Sequence, residues 1–556
     1  MASIATTIDS SGRRVASPLA ERDLASLIPG LTSTEIASEV SSPSVGPHEA
    51  VPVAFNLSED EILAINGNAA QYPGVTVTQE WVRKYPYAEL ATPTIGYVGT
   101  IDSAELKSLG GSYTENDIVG QYGLEKHYEK VLQGDPGTKT LVVDRVGDVV
   151  GTLGSTPSKP GDNVVLNLDL GLQQAVNAAL SKELGALHAA GSPAPWAAAT
   201  VEDPRSGAVL AISSLPTYND NWWIPAMSDS RYASLQNGAA DPLINYAANS
   251  EQPPGSTFKL APATAALNSG LINADTTIDD PGSFTIGNPP ITLHDSESSG
   301  LGNVNVVSAL AESSDVFFYT LGEWFFNDTN RYGQTPIQNI ANDYGLGVPS
   351  GVDLPADEVS VGWVDSLKVR QSLFKEDPLV YGEPTWYPAD NVEMAFGQGE
   401  TVVDTLELAT AYSTFANGGT RYAPELASEI DNSAGKVLTR IKPKVMGHVP
   451  LPASTKSLLQ QGFDGAVQSP GGTATSDFTG FDFSTWNLAG KTGTATVSTD
   501  QSVPDTSWFV GFGGPKPGPA RYAVSVEISK GGYGAAAAGV VARAIFNYLY
   551  SHPTSN

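Results

Sequence analysis

Ser256 and Lys259 stand three positions apart in Pro253-Pro254-Gly255-Ser256-Thr257-Phe258-Lys259. A Pro-Gly turn followed by Ser signals a helix start, and the apolar run Leu260 to Leu267 continues it. On a helix, residues three apart share a face about one turn apart, so the hydroxyl and the amine can meet. A serine hydroxyl is a weak nucleophile until a base takes its proton, and a lysine buried beside another cation can serve as that base. The helix N-terminus also favours negative charge developing at Ser256. Pro262 is awkward, because it removes the hydrogen bond that would return to Phe258 and is expected to bend the helix.

Two further segments carry similar chemistry. Ser313-Ser314-Asp315 lies between helical Val306 to Ala311 and the aromatic run Val316 to Tyr319, a short turn that presents hydroxyls. Lys491-Thr492-Gly493-Thr494-Ala495-Thr496-Val497 alternates like a strand; Thr492 and Thr494 share a face, with Lys491 at the strand's start. Alone, each has a plain structural explanation: a capped helix with a surface lysine, a loop between helices, and an edge strand guarded by lysine.

The elements that must position these residues belong to a chain of 556 residues, enough for two to four domains. With 30 Lys and Arg against 60 Asp and Glu, the formal net charge is −30, and no basic cluster appears, so no nucleic acid is expected as a partner. An apolar share of 41% excludes wholesale disorder, and 56 glycines with 39 prolines favour turns and strands over a helical bundle. The absence of cysteine excludes disulfides, thiol catalysis and cysteine-based metal sites. The six histidines (His48, His127, His188, His294, His448 and His552) are never within four residues of each other, so no metal and no cofactor is expected. No apolar stretch reaches the ~18 residues of a membrane span, and Met1 to Thr6 lacks the pattern of a signal peptide. If the protein works outside the cell, its anchor is expected to lie outside this chain.

The first ~160 residues read as mixed strands and short helices: Val75 to Thr78 and Thr140 to Val143 as strands, and Ser58 to Glu61 as a capping box. The turn-rich Gly154 to Asp162 reads as a linker, placing a boundary between residues 160 and 161. Beyond it the pattern predicts a strand at Val164 to Leu168, a helix at Leu172 to Leu187, and paired strands at Ala198 to Glu202 and Val209 to Ile212. Tyr522 to Ile528 reads as a half-buried strand, closed over by a helix from Ala535 to Leu549. Both parts together make an α/β (α+β) chain in which an antiparallel sheet is flanked by helices.

SxxK, then SxN or SxD, then KTG, in that order, is the signature of penicillin-binding proteins and class A β-lactamases. Neighbouring segments resemble the same family: Asp203-Pro204-Arg205-Ser206-Gly207, Gly351-Val352-Asp353-Leu354-Pro355 and Ala395-Phe396-Gly397-Gln398-Gly399. Upstream, Arg83 to Tyr87, Gly96 to Gly99 and Gly120 to Glu125 resemble the pedestal of class B, elongation-type, penicillin-binding protein 2-like members. The resemblance spans roughly residues 50 to 550. It implies a transpeptidase fold over 161–556 behind an α+β, dimerisation-like pedestal over 1–160.

It also implies a D,D-transpeptidase of cell-wall elongation and shape, acting outside the membrane on peptidoglycan stem peptides that end in D-Ala-D-Ala and acylated by β-lactam antibiotics. In that reading Ser256 is the nucleophile, Lys259 the base in acylation, and Ser313 with Lys491 the relay to the leaving amine. Backbone N–H groups of Ser256 and Thr494 form the oxyanion hole, and Asp315, Thr492, Gly493 and Thr494 bind substrate in a cationic, hydroxyl-lined pocket. A SEDS-type glycan polymerase is the implied partner. The sequence departs from the family in having Asp315 where Asn is commoner; Asp cannot donate a hydrogen bond unless protonated, which alters its contact to substrate or to a lysine. Three alternatives share these motifs: a D,D-carboxypeptidase, a β-lactamase, and a non-catalytic β-lactam sensor. Glu383-Pro384-Thr385-Trp386-Tyr387 begins like the deacylating E-x-x-L-N loop of class A β-lactamases but lacks its Leu-Asn pair. Retention of both lysines and both serines argues against a sensor.

Overall fold

The computed structural model describes residues 1–553 except 9–13, 42–49, 80, 112, 115–116, 144–148, 225–226, 228, 296–298, 383, 499 and 501. His48 and Glu383 therefore lie outside the described residues.

At the N-terminus, Val51–Ala54 and Val75–Val77 flank Ala2–Ile4 in an antiparallel three-stranded sheet. Leu24, Ile36 and Ile65, from three short helices, pack with Ile4 and Val51 into a core of its own. The Ser58–Glu61 capping box forms as the spacing predicts. The expected linker begins later than read: Gly154 to Thr156 continue the strand Val149–Thr156, paired with Thr138–Val143. Small polar residues that read as a linker are here held by cross-strand partners, Thr138 against Thr156 and Thr140 against Gly154.

The three motifs that resemble the pedestal each touch residues beyond position 160. Arg83 pairs with Glu125 between two of the motifs; the Tyr85 N–H donates to Asn221 Oδ1 (2.9 Å), the Gly123 N–H to Glu358 Oε2 (2.7 Å) and, just past the third motif, Tyr128 Oη to Asp353 Oδ2 (2.8 Å). Tyr97 stacks on Trp223 with ring centroids 3.7 Å apart.

The larger part is built on helix α1 (Leu170–Ala189), β1 (Ala197–Asp203), β2 (Ala208–Leu215), α2 (Leu260–Ser269), α3 (Val306–Ala311), α4 (Asp315–Asn327), α5 (Thr405–Ala416), α6 (Ala453–Gln468), β3 (Trp486–Ala495), β4 (Thr506–Pro515), β5 (Tyr522–Ile528) and α7 (Val540–Ser551). The five strands form one antiparallel sheet in the order β2-β1-β5-β4-β3. Val524, Val526 and Ile528 on β5 pack against Val176 and Leu180 of α1 and Ile545 and Leu549 of α7. On the other face, Ala523 joins Tyr412 and Phe415 of α5, Phe463 of α6 and Phe512 of β4. Each Val, Leu, Ile or Phe side chain among them contributes roughly 1.5–3 kcal/mol by leaving water.

Strand β5 is buried on both faces, not half-buried as its alternation predicts. The alternating residues are Ala523, Ser525 and Glu527, and α5 covers them; Glu527 Oε2 accepts from Ser250 Oγ at 2.8 Å. The terminal helix is α-helical only from Val540, after a π-turn over Ala535–Gly539.

Candidate active site

Ser256 lies on a 3₁₀ turn, Gly255–Lys259, that runs directly into α2. Pro262 is the third residue of α2, within the first turn, where an amide lacks an intrahelical acceptor, so the bend expected there has no cause. Three contacts from distant elements fix the turn: Trp508 Nε1 donates to Pro253 O (2.9 Å), Tyr412 Oη to Thr257 O (2.9 Å), and the Gly255 N–H to Gly397 O (2.9 Å). Gly255 has φ +53°, and a Cβ there would stand 2.6 Å from Thr494 O. A Cβ on Gly397 would stand 2.1 Å from Gly255 O. Glycine at both places lets three backbone segments meet around the nucleophile.

Helix α3 ends just before Ser313, which takes φ +66°, a left-handed conformation uncommon for a residue with a side chain. Ser314 then caps α4, accepting from the Phe317 N–H. The strained position aims the Ser313 hydroxyl at three groups: Oγ is 3.0 Å from Ser256 Oγ, 2.8 Å from Lys491 Nζ and 3.2 Å from Lys259 Nζ. All four residues expected to be catalytic therefore meet, with Ser313 at the centre.

The two lysines differ in surroundings. Lys259 is fully buried, and its Nζ donates to Asp315 Oδ1 (2.6 Å) and to the carbonyls of Ser313 (2.8 Å) and Ser314 (3.3 Å). Asp315 answers the departure from Asn: its carboxylate pairs with Lys259, while its N–H donates to Asp295 Oδ2 (2.8 Å). Burial pushes the Asp315 carboxyl up, against the pull of that ammonium. Lys491 is also fully buried; burial, reinforced by the positive charge of Lys259, holds its amine well below the ordinary lysine range.

Lys491 is mid-strand, not at the start, because Trp486 to Gly490 already pair with Gly511 to Pro515. Strand alternation sends its side chain to Ser313 and leaves Thr492 and Thr494 on the cavity side. That cavity, about 720 Å³, is lined by Ser256, Ser313 and Asp315, by the hydroxyls of Thr473, Thr492, Thr494 and Thr496, and by Tyr319 and Tyr533. It is hydroxyl-lined as expected, but the lysines lie beneath its floor rather than in its wall. Gly493 gives the strand its close approach to the nucleophile's turn: a Cβ there would lie 2.7 Å from Pro254 O.

Some of the lining was not read from sequence. Thr473 Oγ1 accepts from Thr492 Oγ1 at 2.7 Å, and the Gln398 amide faces the backbone of Thr496. The Gly-rich turn before Thr473 and the Gly-Gln-Gly loop were the only local signals for them. A Ser-Ser-Lys-Lys cluster under a hydroxyl-lined cleft is an arrangement for acyl transfer through a serine.

The family model of the penicillin binding protein transpeptidase domain matches residues 197–550, and that of the penicillin-binding protein dimerisation domain matches residues 6–166. The chain belongs to the penicillin-binding protein transpeptidase family. Its similarity to peptidoglycan D,D-transpeptidase MrdA of Escherichia coli strain K12 is 31% identity over 456 residues, covering 80% of this chain and 66% of the relative. The chain thus spans just under two thirds of that relative's length. A penicillin-binding protein (PBP2) solved in complex with MreC from Helicobacter pylori shares the fold, with a TM-score of 0.80 at 24% identity over 99% of this chain and 94% of that one. A chain from a peptidoglycan synthase complex, solved to describe the coordination of polymerization and crosslinking, superposes with a TM-score of 0.72 at 25% identity, covering 100% of this chain and 88% of that one. In this penicillin-binding family member the motif serines and lysines are the residues that the geometry brings together.

Proposed function

We propose that the chain is a serine D,D-transpeptidase that cross-links peptidoglycan stem peptides and is acylated at Ser256 by β-lactams. The single observation that carries this reading is the chain of contacts Ser256–Ser313–Lys491, at 3.0 and 2.8 Å, beneath the cleft. Ser256 Oγ attacks the penultimate D-Ala carbonyl, and its proton passes through Ser313 Oγ to Lys491, whose lowered affinity for protons leaves its lone pair available. The same route returns the proton to the leaving D-Ala amine. Lys259, held by Asp315, keeps Lys491 deprotonated and orients Ser313 rather than taking the proton directly. The N–H groups of Ser256 and Thr494 receive the oxyanion, a role worth about 3 kcal/mol per donor. Thr492 and Thr494 receive the terminal carboxylate. An amine from a neighbouring stem then takes the acyl group.

Residues 1–160 act as a pedestal and 161–556 as the catalytic unit, a division supported by the separate N-terminal core and by the two family matches. The catalytic unit works outside the cytoplasm at the cell membrane, although no helix among the described residues is long and apolar enough to cross one. A SEDS-type glycan polymerase is its proposed partner, as the family resemblance implies; the similarity to a chain solved within a peptidoglycan synthase complex supports a partner that polymerizes glycan.

The test is a product assay with a stem pentapeptide and an acceptor amine. Cross-linked product with release of one D-Ala per bond is expected. Release of D-Ala without a new amide bond would make the protein a carboxypeptidase, and rapid release of a labelled β-lactam would make it a β-lactamase.

A further inference from the structure

The two residues that follow Ser313 are gripped by carboxylates from outside the Ser-Ser-Lys-Lys cluster. Asp295 Oδ2 accepts from the Asp315 N–H at 2.8 Å, and Asp280 Oδ2 accepts from Ser314 Oγ. Neither aspartate belongs to the three motifs. Asp280 ends the strand Ile278–Asp280, which pairs with Gly302–Val304, and Asp295 follows the strand Ile291–His294, which pairs with Ser283–Ile286. Backbone contacts tie the two together: the Asp295 N–H donates to Gly282 O (3.0 Å), and the Gly282 N–H donates to Asp280 Oδ1 (2.8 Å).

These carboxylates act on the start of α4. Ser314 Oγ accepts from the Phe317 N–H, so its own hydroxyl hydrogen is free to go to Asp280. The Asp315 N–H has no acceptor within the helix, and Asp295 supplies one as an anion at the positive end of the helix dipole. Ser313 stands immediately before this start with φ +66°, a conformation that persists only where its surroundings enforce it. Lys259 Nζ binds the Ser313 and Ser314 carbonyls, but that lysine is a member of the relay it would have to steady. Asp280 and Asp295 hold the turn without belonging to the relay.

The arrangement is costly for a helix start alone. Asp280 is 1% exposed and Asp295 6%. Burial pushes the Asp280 carboxyl up, and the charge of Asp295 beside it pushes the same way. Ser314 already caps α4 as serine ordinarily does, so two carboxyls kept out of water exceed what capping needs.

We propose that Asp295 is a positioning residue for acyl transfer: by holding the Asp315 N–H, with Asp280 as its support, it keeps Ser313 Oγ between Ser256 and the two lysines. The inference rests on the acyl-serine reading above.

Stopped-flow acylation of the full chain by fluorescent penicillin tests it, because the concentration dependence and the end point separate the binding constant, the acylation rate constant and the fraction of molecules labelled. Asp295→Ala removes the acceptor and should lower the rate constant roughly 10–100-fold, the cost of a reacting group misplaced by about 1 Å, with binding and labelled fraction as in the parent. Asp295→Asn keeps an oxygen for the Asp315 N–H and should recover most of the rate. A residue that only stabilised the fold would lower the melting temperature and the labelled fraction and leave the rate constant of the labelled molecules alone. That result overturns the proposal, as does a change confined to binding, since Asp295 borders the cleft. An Asp295→Asn protein as slow as Asp295→Ala also overturns it. Should Asp295→Ala not fold, Asp295→Glu takes its place: its carboxylate sits one methylene further out, a rate constant at least tenfold lower is expected, and a parental one overturns the proposal. Labelling of the parent separates the two levels of the argument. A labelled parent whose Asp295 variants keep its rate constant removes the positioning role and leaves the acyl-serine reading; a parent that takes no label removes both.

Discussion

Ser313 Oγ is within 3.2 Å of the nucleophile's hydroxyl and of both lysine amines, so a single methyl-sized deletion separates all three. Ser313→Ala should slow acylation by fluorescent penicillin by roughly 10²–10⁴-fold, the range for losing a positioned proton carrier. Ser256→Ala should abolish labelling while the melting temperature stays nearly the same, because a hydroxyl at a helix start contributes only ~1 kcal/mol; persistent labelling would move the nucleophile elsewhere. The lysines are separated by pH. If neutral Lys491 accepts the proton, acylation rises with pH through a limb set by that amine, well below the ordinary lysine range. Replacing Lys259 by Met removes a positive neighbour and leaves Asp315 unpaired. Both changes favour protonated Lys491, so the limb should move to higher pH. A limb that stays in place in Lys259→Met would show that the two amines are not coupled as drawn.

At the scale of elements, the site depends on backbone segments that touch without side chains between them. Gly397 has φ +84°, and a Cβ there would meet Gly255 O at 2.1 Å. Gly397→Ala should therefore lower both the melting temperature and the acylation rate, with a stability loss of about 1–3 kcal/mol. Ser256→Ala should lower only the rate. A Gly397→Ala protein with parental stability and parental labelling would show that the loop relaxes freely. The same distinction explains what the sequence revealed. SxxK, SxD and KTG are legible because each is local and each keeps its residue types wherever the chain folds. The left-handed Ser313, the reach of Tyr412 to Thr257 O and the contact of Thr473 with Thr492 depend on segments far apart in sequence, which no local pattern encodes. Elements fared likewise. The strand pair β1–β2 and helix α1 follow their periodicity, whereas Gly154 to Thr156 read as a linker until a partner strand is known. Strand β5 reads as half-buried because period-two alternation reports polarity and not coverage, and α5 supplies the coverage.

Across the whole molecule, that covered polar face stores a pH dependence. Glu202 on β1 is 1% exposed and accepts from Thr410 Oγ1 of α5 at 2.9 Å. Burial raises its carboxyl from an ordinary 4.5 to about 7, and burial likewise raises Asp404 to about 7 and Glu527 well above its ordinary range. Between pH 4.5 and 7 the folded chain holds a proton on Glu202 that the unfolded chain has lost. Stability from this group is complete below the unfolded value and falls as pH rises through the folded one, by about 3 kcal/mol for a shift of this size. Lys491 works in the opposite sense, since an amine lowered by burial makes the unfolded chain the better proton binder and raises stability with pH. The net charge of −30 adds self-repulsion on the side of the carboxyls. Total stability mixes these terms, so the informative quantity is the difference between a variant and its parent. Glu202→Gln keeps an oxygen to accept from Thr410 and cannot ionise. Its melting temperature relative to the parent should climb from pH 5 to about pH 7 and level off above it, because over that range only the parent must bury a carboxylate or retain its proton against rising pH. A constant offset over that range, by calorimetry in matched buffers, would mean that Glu202 titrates alike in both states and that the α5 face carries no such dependence.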